Sequence, residues 1–281
     1  MELVVVGMTV VVGLFAGSLV TMLVARIPSG IPLTPVSRCP MCGHHLSLPE
    51  SLPVVSWLLC RGRCRHCGAI IPWSVVVLEL ATAALCVLVV VRTDPGGWLI
   101  VPPLILAVSL VALVVIDLVH YRLPDLIVVP AILGSLVVME VLALTGLVRP
   151  SAVLIALAAG SGFFVFLLVA HLLNPASLGF GDVKLALLLG IHTGWVGVSR
   201  FGSWNAAWRL TFWAVVLGLG LGLFFALALW AARRVSGRHL LPDPVAGGIG
   251  PVPFLSMSVP FGPGLAVGTL LVVCFPETVM G

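Results

Sequence analysis

Four cysteines stand in two pairs, Cys39-Pro40-Met41-Cys42 and Cys64-Arg65-His66-Cys67, with 21 residues between the pairs. Two such knuckles can close a tetrahedral thiolate cage around Zn²⁺, with Zn–S near 2.3 Å. Gly43 and Gly68 each follow a second cysteine, which suits a backbone that turns tightly so that its amides face the sulfurs. Two disulfides or scattered free thiols are the other uses of such a set. Cys60 competes as a ligand three residues before Cys64, and His44, His45 and His66 lie near enough to replace a thiolate, although four cysteines already complete the shell. Cys86 and Cys274 fall in apolar runs and read as small packing residues.

A second chemistry is carried by carboxylates in apolar surroundings. Glu79, Asp117, Glu140 and Asp182 lie in or at the ends of apolar runs, where a charge costs about 2.5–3.5 kcal/mol and asks for a reason. Two carboxylates brought together can share one proton, because like charges a few ångströms apart cannot both ionise. One then serves as general base and the other as general acid, and the pair activates water for attack on a peptide carbonyl with neither metal nor covalent intermediate. Asp117 and Asp182 are the pair nominated here, the second in Gly179-Phe180-Gly181-Asp182. The two glycines permit close approach of a substrate chain, and irregular backbone at membrane depth is tolerated where it lines a wet cavity. Gly-x-Gly-Asp alone is a weak string. Asp125 reads as a helix N-terminal acid after Pro124. Glu79 and Glu140 read as acids that pair with buried polar groups or snorkel, His120 and Arg122 as interface anchors, and His171 and His192 as groups satisfied by neighbouring helices.

The elements that must hold these groups follow from composition. Of 281 residues, 60% are hydrophobic and 9% charged, against about 45–50% apolar and about 25% charged in an ordinary soluble domain. A soluble single-domain enzyme is excluded, and the expectation is an all-α polytopic membrane protein. Eight spans are expected, at residues 3–25, 75–91, 98–116, 126–148, 152–173, 183–198, 210–231 and 261–275, each a run of the order needed to cross about 30 Å of hydrocarbon. The sixth and eighth are short and rich in glycine or proline. The first run starts directly after Met1 and Glu2, without the basic start and cleavage site of a signal peptide, and reads as a retained helix.

Charge sets the expected orientation. One side of this arrangement receives Arg26, Arg38, Arg61, Arg63, Arg65, Arg122, Lys184, Arg233, Arg234 and Arg238; the other receives Arg92, Arg149, Arg200 and Arg209. Positive charge concentrates on the cytoplasmic side, so the cysteine-bearing connection at 27–74 and both aspartates are placed at the cytoplasmic face and both termini outside. Thiols stay reduced there, which disfavours disulfides. A net charge of +4 is orientation information here, with no nucleic-acid partner implied. The Pro- and Gly-punctuated stretch 235–260 reads as an irregular loop. A transporter would place its acids near the midplane between repeated halves; here they lie at one face and no repeat is visible.

The order of motifs resembles the bacterial type IV prepilin peptidases, GxGD-type intramembrane aspartic proteases fused to an amino-terminal methylation module. The likeness runs from Gly13 to Ser18 and Arg26-Ile27-Pro28, through the knuckles with Leu52-Pro53 and Ser56-Trp57-Leu58 between them, to Glu79-Leu80. It resumes at Asp117, Leu123-Pro124-Asp125 and Pro130, continues through Gly179 to Leu185, and ends at Pro260-Phe261-Gly262-Pro263. The resemblance implies that Asp117 and Asp182 form a catalytic dyad with Asp125 a helix-capping acid beside it. It implies two modules: 1–92, the first two helices with a four-cysteine zinc loop at 27–74, and 93–281, a six-helix peptidase. It further implies a multi-pass protein of the bacterial cell membrane that cuts the basic leader from prepilins and pseudopilins after a glycine, then N-methylates the new amino terminus with S-adenosylmethionine. Pilus or type II secretion assembly machinery is a further implied partner. No strand followed by Gly-x-Gly-x-x-Gly occurs, so the methyl donor rests on resemblance alone. The alternative is a peptidase only, whose zinc loop serves substrate docking or assembly.

Overall fold

The computed structural model describes residues 2–33, 38–39, 41–93, 97–175, 178–236 and 260–280. Among them all regular structure is helical, and the only pairings of extended backbone are two isolated antiparallel bridges, Arg38 with His45 and Arg63 with Ile70. The helices are α1 (Glu2–Arg26), α2 (Leu48–Ser51), α3 (Val55–Leu59), α4 (Ser74–Thr93), α5 (Val101–His120), α6 (Asp125–Leu144), α7 (Ser151–Leu173), α8 (Phe180–Phe201), α9 (Trp204–Ser236), α10 (Gly262–Cys274) and α11 (Glu277–Met280). Packing divides the chain into two compact units, Met1–Val115 and Ile116–Gly281, with the division inside α5.

In the first unit α1 lies against α4 at two glycines spaced four apart. A Cβ on Gly13 would stand 2.7 Å from Ala83 Cα, and one on Gly17 2.6 Å from Glu79 Cα. Such small-residue seams let helices approach where lipid removes the hydrophobic drive to associate. Leu3, Val4, Met8 and Phe15 leave the other faces of α1 apolar and exposed, as a lipid-facing helix requires. Glu79, buried in this unit, accepts a hydrogen bond from the Val54 backbone N–H at 2.7 Å, which ties the loop to α4.

The second unit is built around α8, which packs against α6, α7, α9 and α10. Glycines again set the distances. A Cβ on Gly190 would meet Gly160 Cα of α7 at 2.7 Å, one on Gly197 would meet Ala207 Cα of α9 at 2.5 Å, and one on Gly264 of α10 would meet Gly222 N of α9 at 2.5 Å. The polar groups of α8 find partners inside the bundle: His192 contacts Ser135 Oγ at 3.1 Å and the Leu188 carbonyl at 2.8 Å, and Thr193 Oγ1 lies 2.8 Å from Thr211 Oγ1.

The expectation of eight spans is not confirmed. Among the described residues six helices are long and apolar enough to cross a membrane: Leu3–Arg26, Ser74–Thr93, Trp98–His120, Asp125–Leu144, Ser151–Leu173 and Trp204–Ala228. The expected sixth span is α8, a helix of 22 residues whose sequence is interrupted by Asp182, Lys184, His192 and Arg200. Enclosed by other helices, it has no need of an apolar surface all round. The expected eighth span is α10, whose 13 residues rise about 20 Å at 1.5 Å each, short of the hydrocarbon thickness. Within the expected irregular stretch, Val235 and Ser236 complete α9, and residues 237–259 lie outside the described residues.

Candidate active site and metal centre

Asp117 sits in the last turn of α5. That helix ends three residues later, at His120, where Tyr121 takes a positive φ of 53° while its N–H still reaches the Asp117 carbonyl at 2.9 Å, a left-handed helix end made without glycine. Asp182 is the third residue of α8, after the extended N-cap Gly179. Its own N–H bonds the Gly179 carbonyl at 3.0 Å, and its carboxylate accepts from the Gly179 N–H, so an acid three residues into the helix satisfies one of the free donors at its start. Gly181 serves a different need. A Cβ there would stand 3.0 Å from Leu123 Cβ, so its absence lets α8 settle against the segment that follows Asp117.

The two aspartates meet at a third element. A Cβ built on Gly262, the first residue of α10, would lie 2.5 Å from Asp117 Oδ2 and 3.7 Å from Asp182 Oδ1. Both residues are buried, at 5% and 8% exposure, and Asp117 Oδ2 has no hydrogen-bond partner among the described residues. A buried, unsatisfied carboxylate oxygen facing a second carboxylate is a costly arrangement that points to use.

The other nominated acids are placed elsewhere. Asp125, in the first turn of α6, forms an ion pair with Lys184 of α8. Glu140 is exposed on α6, and Glu79 belongs to the first unit. His171 Nδ1 lies 2.7 Å from the Leu178 carbonyl. Sequence reasoning gave no role to Gly262 and counted Lys184 only as a charge. The available signal was their membership in the runs Pro260-Phe261-Gly262-Pro263 and Asp182-Val183-Lys184.

In the first unit the Sγ atoms of Cys39, Cys42, Cys64 and Cys67 all lie within 4.8 Å of one another, with Cys39 and Cys67 3.8 Å apart. A tetrahedron with Zn–S of about 2.3 Å has S···S edges of about 3.8 Å, so the four thiols fit a zinc ion. The two knuckles are built alike. Cys39 N–H bonds the His44 carbonyl and Gly43 N–H the Cys39 carbonyl, both at 2.9 Å; Cys64 N–H bonds the Ala69 carbonyl at 2.8 Å and Gly68 N–H the Cys64 carbonyl at 2.9 Å. Gly43 and Gly68 take φ of 69° and 71°, the left-handed turn that glycine alone adopts freely. Backbone amides of Cys42 and then Met41 lower the Cys39 thiol to about 6, toward the thiolate that a metal needs. Cys60 is outside the cluster, and Cys86 and Cys274 are buried in helices.

Beside the knuckles lies a cavity of about 450 Å³ lined by Thr21 and Val24 of α1, Leu78 of α4, and Arg38, Glu50 and Arg65 of the loop. Glu50 is held in place by the Ser47 N–H and hydroxyl at 2.9 and 2.7 Å, and the hydroxyl first, then the N–H, keep its carboxyl below the usual range. A mostly apolar wall with a few charged groups is how small-molecule sites are built.

Comparison with known proteins gives a consistent answer for both units. Residues 11–93 match the model of the Bacterial Peptidase A24 N-terminal domain, and residues 104–229 match that of the Type IV leader peptidase family. The chain is similar to proteins named prepilin leader peptidase/N-methyltransferase. One from Myxococcus xanthus is 34% identical over 70% of this chain and 59% of its own length. One from Dichelobacter nodosus is 33% identical over 70% of each, and one from Burkholderia pseudomallei 29% identical over 92% of this chain and 82% of its own length. Against the Myxococcus relative and one from Aeromonas salmonicida the chain spans only 59% and 55% of their lengths. No solved structure matches the chain.

Proposed function

The chain belongs to the type IV leader peptidase family, and on that premise we propose that it is a membrane aspartic endopeptidase that removes the leader of type IV prepilins and pseudopilins. The observation that carries this reading is the convergence of Asp117 and Asp182, both buried, on Gly262. One carboxylate takes a proton from water as that water attacks the carbonyl of the scissile bond. The other, protonated, gives its proton to the carbonyl oxygen. The resulting diol collapses as the C–N bond breaks, a proton passes to the departing amine, and the dyad regains its single shared proton. The role of the helix starts is to fix both groups before substrate arrives, since preorganised geometry supplies much of the rate.

Orientation follows from the charge asymmetry: the loop and the dyad face the cytoplasm, where prepilin leaders are found, and both termini lie outside. The first module, residues 1–92, is assigned to N-methylation of the freed amine and the second, 93–281, to proteolysis. Zinc, held by Cys39, Cys42, Cys64 and Cys67, is structural here, since a closed shell of four thiolates leaves no open position. S-adenosylmethionine, when bound, supplies an electrophilic methyl group. The cavity beside the knuckles fits it, with Glu50 for its cationic groups and Arg38 and Arg65 for its carboxylate. The test is incubation of the purified full chain with a prepilin in detergent. Loss of the leader supports the reading, and an intact prepilin under conditions where a known family peptidase cuts would refute it.

A further inference from the structure

Gly262 is the first residue of a helix of 13 residues, and its backbone is not in the left-handed region. Conformation therefore does not call for glycine at this position; space does. A single methyl group there would stand 2.5 Å from Asp117 Oδ2 and 3.3 Å from its Cγ, and would contact Asp182 Oδ1 at 3.7 Å. Its N–H, one of the donors that a helix start leaves without an intrahelical acceptor, faces the Asp117 carboxylate. Pro263 follows and has no N–H to offer. On the other side of this contact is a carboxylate oxygen, Asp117 Oδ2, that is buried and unpartnered among the described residues.

We propose that Gly262 is a positioning residue for the peptidase reaction: its N–H orients Asp117, and its missing side chain keeps open the space in which Asp117 Oδ2 and Asp182 Oδ1 face the reacting water. The inference rests on the peptidase reading above. The third contributor to the site is thus main chain from α10, and the short helix exists to deliver it. Gly264 and Gly268 place α10 against Gly218 and Gly222 of α9, so the depth of Gly262 is fixed by a seam in which a side chain has no room. Relief of a 2.5 Å contact moves the carboxylate by a large fraction of an ångström, and a misplacement of about 1 Å costs on the order of a hundredfold in rate.

The test is a double-mutant cycle in the full-length protein, reading prepilin cleavage and thermal unfolding in detergent. Gly262→Ala is expected to cut kcat at least about a hundredfold with KM for the prepilin within about threefold of wild type, and to lower the unfolding temperature. In an Asp117→Ala background the same change should no longer lower the unfolding temperature, because the carboxylate that the methyl strikes is gone. This second arm stands even if the single variant accumulates poorly. Equal destabilisation in both backgrounds, or more than half of wild-type kcat in Gly262→Ala, overturns the proposal. Unimpaired cleavage by Asp117→Asn would instead overturn the peptidase assignment of the dyad, so the two failures are told apart.

Discussion

Lys184, the fifth residue of α8, and Asp125, the first of α6, form an ion pair that fastens the starts of the two helices together. Lys184 follows Asp182 by two residues and Asp125 follows Asp117 by eight, so the pair bridges the two segments that carry the buried carboxylates. Asp125 is thereby a partner of the lysine, in addition to being an acid at a helix start as its sequence position suggested.

The pair is solvent-accessible, with side-chain exposures of 27% and 63%, and exposed ion pairs contribute about 0–1 kcal/mol. Asp125→Asn is therefore expected to retain at least about a fifth of wild-type cleavage, since about 1 kcal/mol is a factor of roughly five. Initial rates on a prepilin peptide check this. Complete loss in Asp125→Asn would move Asp125 into the chemistry.

The four-cysteine cluster predicts one zinc ion per chain. Each ligand must be deprotonated and each is needed to close the shell, so Cys67→Ser should lose the metal and loosen residues 38–72 while leaving the helices inserted. Elemental analysis of protein purified without chelator measures the metal directly, and the absence of stoichiometric zinc from wild type would remove the basis for the centre.

Metal loss should separate the two proposed activities. The zinc loop and the cavity beside it belong to the first unit, while Asp117, Asp182 and Gly262 belong to the second. Methyl transfer needs a rigid pocket that aligns donor and amine, and the cavity proposed for the donor lies beside the four cysteines proposed to hold zinc. Cys67→Ser is expected to retain more cleavage than methylation, seen by mass spectrometry as a shortened, unmethylated pilin. Equal loss of both at normal protein levels would show that the loop also builds the protease site.

Packing of the first unit is tested at Gly17, where a Cβ would stand 2.6 Å from Glu79 Cα. Gly17→Val should cost about 1–3 kcal/mol by overpacking, lowering the thermal stability of the detergent-solubilised protein. Gly7, with nothing within 4 Å of its Cβ position, is the control, and Gly7→Val should leave stability within about 0.5 kcal/mol of wild type.

The parts of this architecture that were legible in the sequence are those written in short local patterns. The knuckles declare themselves because thiolate spacing and the glycines after Cys42 and Cys67 are properties of one tight turn each. The long apolar helices are legible because lipid imposes one rule on every face. Where that rule lapses, the reading lapses too. Hydropathy placed α8 over only 183–198 and set it apart as short and rich in glycine, whereas the helix runs from Phe180 and its polar residues are answered by Ser135 and Thr211 of neighbouring helices. Gly262 was read only as part of the run Pro260-Phe261-Gly262-Pro263, and its role was not legible for a different reason. The role proposed for it rests on proximity to carboxylates 80 and 145 positions away in the chain, and a glycine whose φ is ordinary does not show locally what its missing side chain makes room for.

The central claim is that Asp117 and Asp182 together perform peptide-bond hydrolysis, and the most direct measurement is mass spectrometry of a prepilin incubated with purified wild type, Asp117→Asn and Asp182→Asn proteins at equal concentration. Neither member of an acid–base pair can carry both proton transfers alone, so both variants are expected to leave the leader attached, with rates reduced by at least about a hundredfold, while wild type and Glu140→Gln remove it. Leader removal by either dyad variant at more than about a tenth of the wild-type rate would contradict the account.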